Sequence, residues 1–148
     1  MLIWLTIAAS ASAIPKHQKA TQSVSAVVDH IGLHVADPVV SAKFYQRTLG
    51  LKPLVQKVSP TMRWMGSATF QLHLIGGRTK PVDTTTETHF AFRVPNLQDE
   101  LNVLDQGHIP WTDADGAPHK ITKRVDGVLQ AYFHDPDGYS IEVNQAPK

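Results

Sequence analysis

Eight histidines and no cysteine define the chemistry open to this chain. Without Cys, thiolate catalysis, disulfide frameworks and Cys-based zinc sites are excluded together. Any metal site must therefore be built from imidazole and carboxylate, a donor set that suits a divalent zinc, nickel, cobalt, manganese or iron ion. Three histidines and one glutamate fall in short strand-like runs: His30, His73, His89 and Glu142. Four protein ligands on a six-coordinate ion would leave two positions open for a substrate with two adjacent oxygens. The metal would act there as a Lewis acid, stabilising an enediolate or a bound alkoxide.

The elements that must carry these residues form an internal repeat. One copy opens His30-Ile31-Gly32-Leu33-His34-Val35 and the other His89-Phe90-Ala91-Phe92-Arg93-Val94. Each opening runs into a helix start, and each helix stops at a glycine, Gly50 or Gly107, with Pro53 or Pro110 following. Asp37 is an N-cap with Pro38 at the first helical position, and Asn96 caps the second helix. Leu97, Leu101 and Leu104 make one apolar stripe. Gly50 and Gly107 suit the left-handed position after a helix end. Further strands are predicted over Lys52–Val58, Met62–Met65 and Thr69–Ile75, then near Ile121, over Val128–His134 and over Tyr139–Gln145. Asp135-Pro136-Asp137-Gly138 forms a hairpin turn, while Trp111–Lys120 and Gly76–Thr88 read as loops. Each copy is a strand, a helix and three strands, giving about eight strands and two helices in an α+β fold.

Alternation along the strands assigns the faces. Ile31, Leu33 and Val35 oppose His30 and His34; Phe90, Phe92 and Val94 oppose His89 and Arg93; Leu72 and Leu74 oppose Gln71 and His73; Ile141 and Val143 oppose Ser140, Glu142 and Asn144. One such polar face is simply the wet side of a half-buried sheet. Three imidazoles and a carboxylate at first-strand and last-strand positions of both copies favour a metal site.

The remaining composition narrows the partners. With 148 residues the chain is one domain's worth. Lys+Arg 14 against Asp+Glu 13 leaves a formal charge of +1, which gives no bulk electrostatic case for nucleic acid. At the N-terminus, Leu2–Ala9 is apolar and Ala11-Ser12-Ala13 has the small-x-small pattern of a signal-peptidase site, without a preceding Lys or Arg. Residues 1–13 are therefore expected to be a signal peptide directing the protein to the periplasm or outside the cell, and 14–26 a linker. The apolar run is too short to span a bilayer.

Three stretches resemble one family. Asp29–Asp37 with Phe44-Tyr45 and Leu49-Gly50-Leu51 is similar to the opening module of the vicinal oxygen chelate superfamily, Thr88–Val94 to the start of its second module, and Tyr132–Glu142 to its ending. The superfamily includes glyoxalase I, extradiol dioxygenases, fosfomycin-resistance enzymes and bleomycin-binding proteins. The resemblance implies two βαβββ modules, here 27–76 and 88–146 of a domain over 27–148. They would form a cupped, partly open eight-stranded barrel-like sheet with the helices outside. It also implies one divalent metal ion in the cup at His30, His73, His89 and Glu142, a small-molecule substrate, and a homodimer.

Length and ligand positions are closest to glyoxalase I, so a metal-dependent lyase or isomerase with Glu142 as catalytic base is expected. An Fe(II) extradiol-type dioxygenase on His30, His89 and Glu142, and a non-catalytic small-molecule or antibiotic-resistance binder, are the alternatives. His34, Arg93 and Tyr132 are expected to line the substrate pocket, and Gln130 shares the face of Tyr132. His134 reads as structural, Trp64 as core or dimer contact, and His17, His108 and His119 as without a role.

Overall fold

A computed structural model describes residues 26–55, 59–67 and 69–147. The expected signal peptide, and the linker up to its last residue, lie outside the described residues. The first module runs β1 (His30–Val35), α1 (Pro38–Leu49), β2 (Lys52–Pro53), β3 (Met62–Gly66) and β4 (Gln71–Gly76). The second runs β5 (His89–Arg93), α2 (Leu97–Gln106), β6 (Trp111–Thr112), β7 (Thr122–Lys123), β8 (Leu129–His134) and β9 (Ser140–Gln145).

The fold is α+β, but the strands form two separate sheets rather than one barrel-like sheet. One has the order β1-β4-β3-β2; the other has β5-β9-β8-β6, with β7 also on β8. The second module keeps the strand–helix–three-strand plan because β6 and β7 share one edge of β8: Trp111 and Thr112 pair with Phe133 and Tyr132, Thr122 and Lys123 with Gln130 and Leu129. The segment expected to be a loop from Trp111 thus begins as a strand. The expected strand after Gly50 is short, since β2 covers Lys52–Pro53, and residues 56–58 lie outside the described set.

Both helix starts are as the sequence predicts. The Asp37 carboxylate accepts from the Val39 and Val40 amides at 2.7 and 3.3 Å, and the Asn96 side chain accepts from Gln98 N–H at 3.0 Å. These contacts satisfy amides that have no partner inside the helix. Gly50 takes the left-handed conformation, φ 63°, and ends α1. Gly107 does not: its φ is −79°, and the left-handed residue is the next one, His108, at φ 53°. Helix α2 therefore turns out one residue later than the glycine suggests. From α1, Ser41, Phe44, Tyr45 and Thr48 are buried; from α2, Leu97, Leu101 and Leu104. Of these, Phe44, Tyr45, Leu97, Leu101 and Leu104 pack with Leu33, Val35, Leu72, Leu74, Ile141 and Val143 in one core shared by both modules.

A polar clamp reinforces that shared core. The β8–β9 turn sends two carboxylates into the first module. Asp135 accepts the Tyr45 hydroxyl at 2.7 Å. Asp137 accepts the Ala36 amide at 2.7 Å, the Ser41 hydroxyl at 3.0 Å and the Arg78 guanidinium at 2.8 Å. Burial opposes the charge on Asp137, but these donors outweigh it and hold the carboxyl below its usual range. Burial dominates at Asp135 and raises it.

Asp137→Ala removes the carboxylate that accepts from Ala36, Ser41 and Arg78 and leaves the guanidinium only backbone acceptors, so it should destabilise the protein by about 3 kcal/mol in denaturant unfolding; an unchanged midpoint would contradict the clamp. Glu100, in the first turn of α2, has a buried Oε1 with no hydrogen-bond partner among the described residues, and burial raises its pKa to about 7. A carboxyl raised on folding favours the protonated fold, so its cost is absent below the unfolded pKa and complete above about 7. Glu100→Gln should stabilise the protein by on the order of 1–2 kcal/mol at alkaline pH, after discounting for partial exposure, and change little in acid. Equal effects at both pH values would contradict the assignment.

Candidate metal centre

In each module the first and last strands run parallel, and this pairing places the expected ligands. His30 aligns with Gln71 and Gly32 with His73; His89 aligns with Ser140 and Ala91 with Glu142. His73 therefore lies diagonally from His30 as Glu142 does from His89. In both diagonals the residue directly opposite the last-strand ligand is small, Gly32 or Ala91. The His30 ring stacks on His73, with centroids 4.1 Å apart and planes 16° from parallel. In the second module His89 Nε2 lies 3.4 Å from Glu142 Oε2. The chain thus brings the four residues together as two pairs, one on each sheet. Among the described residues no group of three or more His, Asp or Glu is gathered closely enough to hold an ion.

The second pair sits in a hydrogen-bonded network. Glu142 is 4% exposed, and a buried carboxylate needs partners. The Tyr132 hydroxyl donates to its Oε2 at 2.7 Å, and the Asn144 amide to its Oε1 at 2.7 Å. Gln130 Nε2 donates to the Tyr132 oxygen at 3.0 Å, and Arg93 Nε to Asn144 Oδ1 at 3.5 Å. Burial, then the hydrogen bond and charge of Glu142, raise the Tyr132 phenol, which therefore stays a donor. His89 Nδ1 lies 2.6 Å from the Thr86 carbonyl. A carbonyl only accepts, so Nδ1 carries a proton and Nε2 is the nitrogen turned toward Glu142, the one a metal would take. The Asp29 carboxylate, 2.7 Å from His30 Nδ1, orients that ring in the same sense.

His73 is different. Its Nε2 lies 3.1 Å from Gln71 Oε1, and its second face stacks on Trp64 at 4.0 Å and 7°. Burial, and next the neighbouring His30, lower its pKa.

The expected pocket residues divide. Tyr132 belongs to the site through Glu142. Gln130, expected on the same face, reaches the site by holding Tyr132. Arg93 is exposed, touches the network through Asn144, and lines a cleft of about 470 Å³ with Ile31, Phe70, Phe90 and Phe92. His34 is exposed, and its backbone carbonyl accepts the Tyr139 hydroxyl at 3.0 Å. His134 ties the turn to the inter-module loop through the Thr84 carbonyl at 2.8 Å. Sequence reasoning did not find Asp29, the Thr86 carbonyl or the donor role of Asn144. The only available signal was that Asn144 shares the face of Glu142.

The comparisons agree with this fold. Residues 27–143 match the family model described as Glyoxalase/Bleomycin resistance protein/Dioxygenase superfamily. The chain belongs to that superfamily. It is 24% identical over 135 residues to virulence protein STM3117 of Salmonella typhimurium, covering 88% of this chain and 91% of the relative. A glyoxalase/dioxygenase from Nostoc punctiforme superposes with a TM-score of 0.66 at 27% identity, covering 85% of this chain and all (100%) of the other. Lactoylglutathione lyase from Agrobacterium tumefaciens superposes with a TM-score of 0.64 at 16% identity, covering 83% and 96%.

Tyr132→Phe removes the Oε2 hydrogen bond and leaves Gln130 Nε2 without its acceptor. It should cost about 2 kcal/mol of unfolding free energy, read from the urea midpoint. A change within about 0.5 kcal/mol would show that the network contributes nothing to the fold.

Proposed function

We propose that the chain is a metal-dependent enzyme of this superfamily, a glyoxalase-like lyase or isomerase acting on a small substrate with vicinal oxygens. Its metal ligands are drawn from His30, His73, His89 and Glu142. The observation that carries this reading is the His89–Glu142 pair, with Nε2 and Oε2 3.4 Å apart and each group anchored on its far side by Thr86 or Asn144. Two ligand atoms each about 2.1 Å from one ion lie about 3.0–3.4 Å apart in octahedral or tetrahedral geometry, so the pair fits a divalent ion. Zinc, nickel, cobalt, manganese or iron, when bound, would supply the Lewis acidity that stabilises negative charge on two adjacent substrate oxygens, as in an enediolate. Glu142, able to hold the ion or to move off it, is the base that takes the substrate proton. Tyr132 and Asn144 fix the direction of that buried carboxylate when it faces the ion.

The two pairs stand on different sheets, and each sheet ends in an edge strand, β1 or β5, that opens with a histidine. A two-fold pairing that lays β1 of one copy beside β5 of a second unites His30 with His89 and Glu142 and builds the site twice, so the working form is an isologous homodimer. The leader-like run at residues 1–13 supports an exported protein. That setting favours a vicinal-oxygen substrate other than a cytoplasmic glutathione adduct.

Elemental analysis should find about one divalent ion per chain in the wild type and none in Glu142→Ala. Mixing His30→Ala with Glu142→Ala through unfolding and refolding should restore metal to about a quarter of the sites, since half the dimers are mixed and each has one intact site. A wild type that stays metal-free after reconstitution would leave a binding protein instead of an enzyme. No recovery on mixing would place the site within one chain.

A further inference from the structure

We infer that His73 is not a metal ligand but the middle ring of a three-ring stack, Trp64–His73–His30, that sets the plane and direction of the His30 imidazole. This rests on the metal reading above and assigns a different role to one of its four residues.

An imidazole lone pair lies in the ring plane, so an ion must lie in the plane of every imidazole that binds it. The His30 and His73 rings are stacked with centroids 4.1 Å apart and planes 16° from parallel. Their planes do not meet within the roughly 2.1 Å reach of a metal–nitrogen bond. One ion therefore cannot take both. Turning His73 toward it would break the stack on His30, the stack on Trp64 at 4.0 Å and 7°, and the contact of Nε2 with Gln71 at 3.1 Å.

Local sequence explains why these rings meet. Trp64 is the direct cross-strand partner of His73 on β3, and Gly32 is its direct partner on β1. Gly32 adds no side chain beside His73 on β1; a Cβ there would have only Ile75 Cδ1 within 4 Å, at 3.8 Å, so neither imidazole fills that space. His30 is then held at two points, by ring stacking on one face and by Asp29 at Nδ1, with Nε2 left to ligate. The metal set becomes His30, His89 and Glu142. Three further positions of a six-coordinate ion remain, so the site accepts a bidentate vicinal-oxygen substrate together with one small co-ligand.

The test is zinc binding to the full-length protein by calorimetry, with circular dichroism to confirm folding. His73→Phe keeps a flat ring in the stack and removes both nitrogens. It should bind one zinc per chain within about threefold of the wild-type affinity. His73→Ala and Trp64→Leu should keep the stoichiometry and weaken binding about tenfold, as loss of an orienting partner does. His30→Ala should weaken it at least a hundredfold. Zinc lost from His73→Phe as fully as from His30→Ala would overturn the assignment and restore a four-ligand site. Zinc absent from the wild type would overturn the metal reading itself, and this assignment with it.

Discussion

Parallel pairing between the first and last strand of each module is the constraint on which the rest of the structure depends. Parallel neighbours require a crossover between them, and a helix with the intervening strands, two in the first copy and three in the second, provides it. The register that results places residue i of the first strand diagonally from the ligand position of the last, with a small residue, Gly32 or Ala91, directly opposite that position. The same backbone offset gives opposite chemistry in the two modules. In the first it lays two flat rings face to face; in the second it brings an imidazole nitrogen to 3.4 Å from a carboxylate oxygen. The difference lies in what occupies the last strand, His73 or Glu142.

Around that offset the protein separates rigidity from chemistry. The helix-facing sides of β1, β4 and β9 are buried apolar surface, which supplies the driving force for folding. The two modules are then joined by Asp135 and Asp137, whose acceptors are filled by Tyr45, Ser41, Ala36 and Arg78. On the opposite side of the second sheet, Gln130, Tyr132, Glu142 and Asn144 form a chain in which both carboxylate oxygens already have donors. Such a group costs little reorganisation when a cation or a substrate arrives, because its direction is set in advance.

Much of this was legible in the sequence, for reasons that can be named. Period-two alternation fixed the faces of β1, β4, β5 and β9, and the caps at Asp37 and Asn96 fixed where the helices begin. Both signals are local. What the sequence hid depends on contacts far apart in the chain. Trp111 joins β8 only because Phe133 lies opposite it. Gly107 suggested a left-handed helix end, but the backbone reverses one residue later at His108. The Tyr45–Asp135 and Arg78–Asp137 contacts span 90 and 59 residues. His73 is the instructive case: it stands at the position where the repeat calls for a ligand, and only its stacking between Trp64 and His30 shows what the ring does there.

The most direct test of this account is X-ray absorption at the zinc edge of the reconstituted full-length protein. Multiple scattering from imidazole rings counts the histidines in the coordination shell. The account predicts two imidazoles, with the remaining scatterers oxygen at about 2.0–2.1 Å. A shell with three imidazoles would contradict the three-ligand set, and a shell with none would contradict a metal centre built on His89 and Glu142.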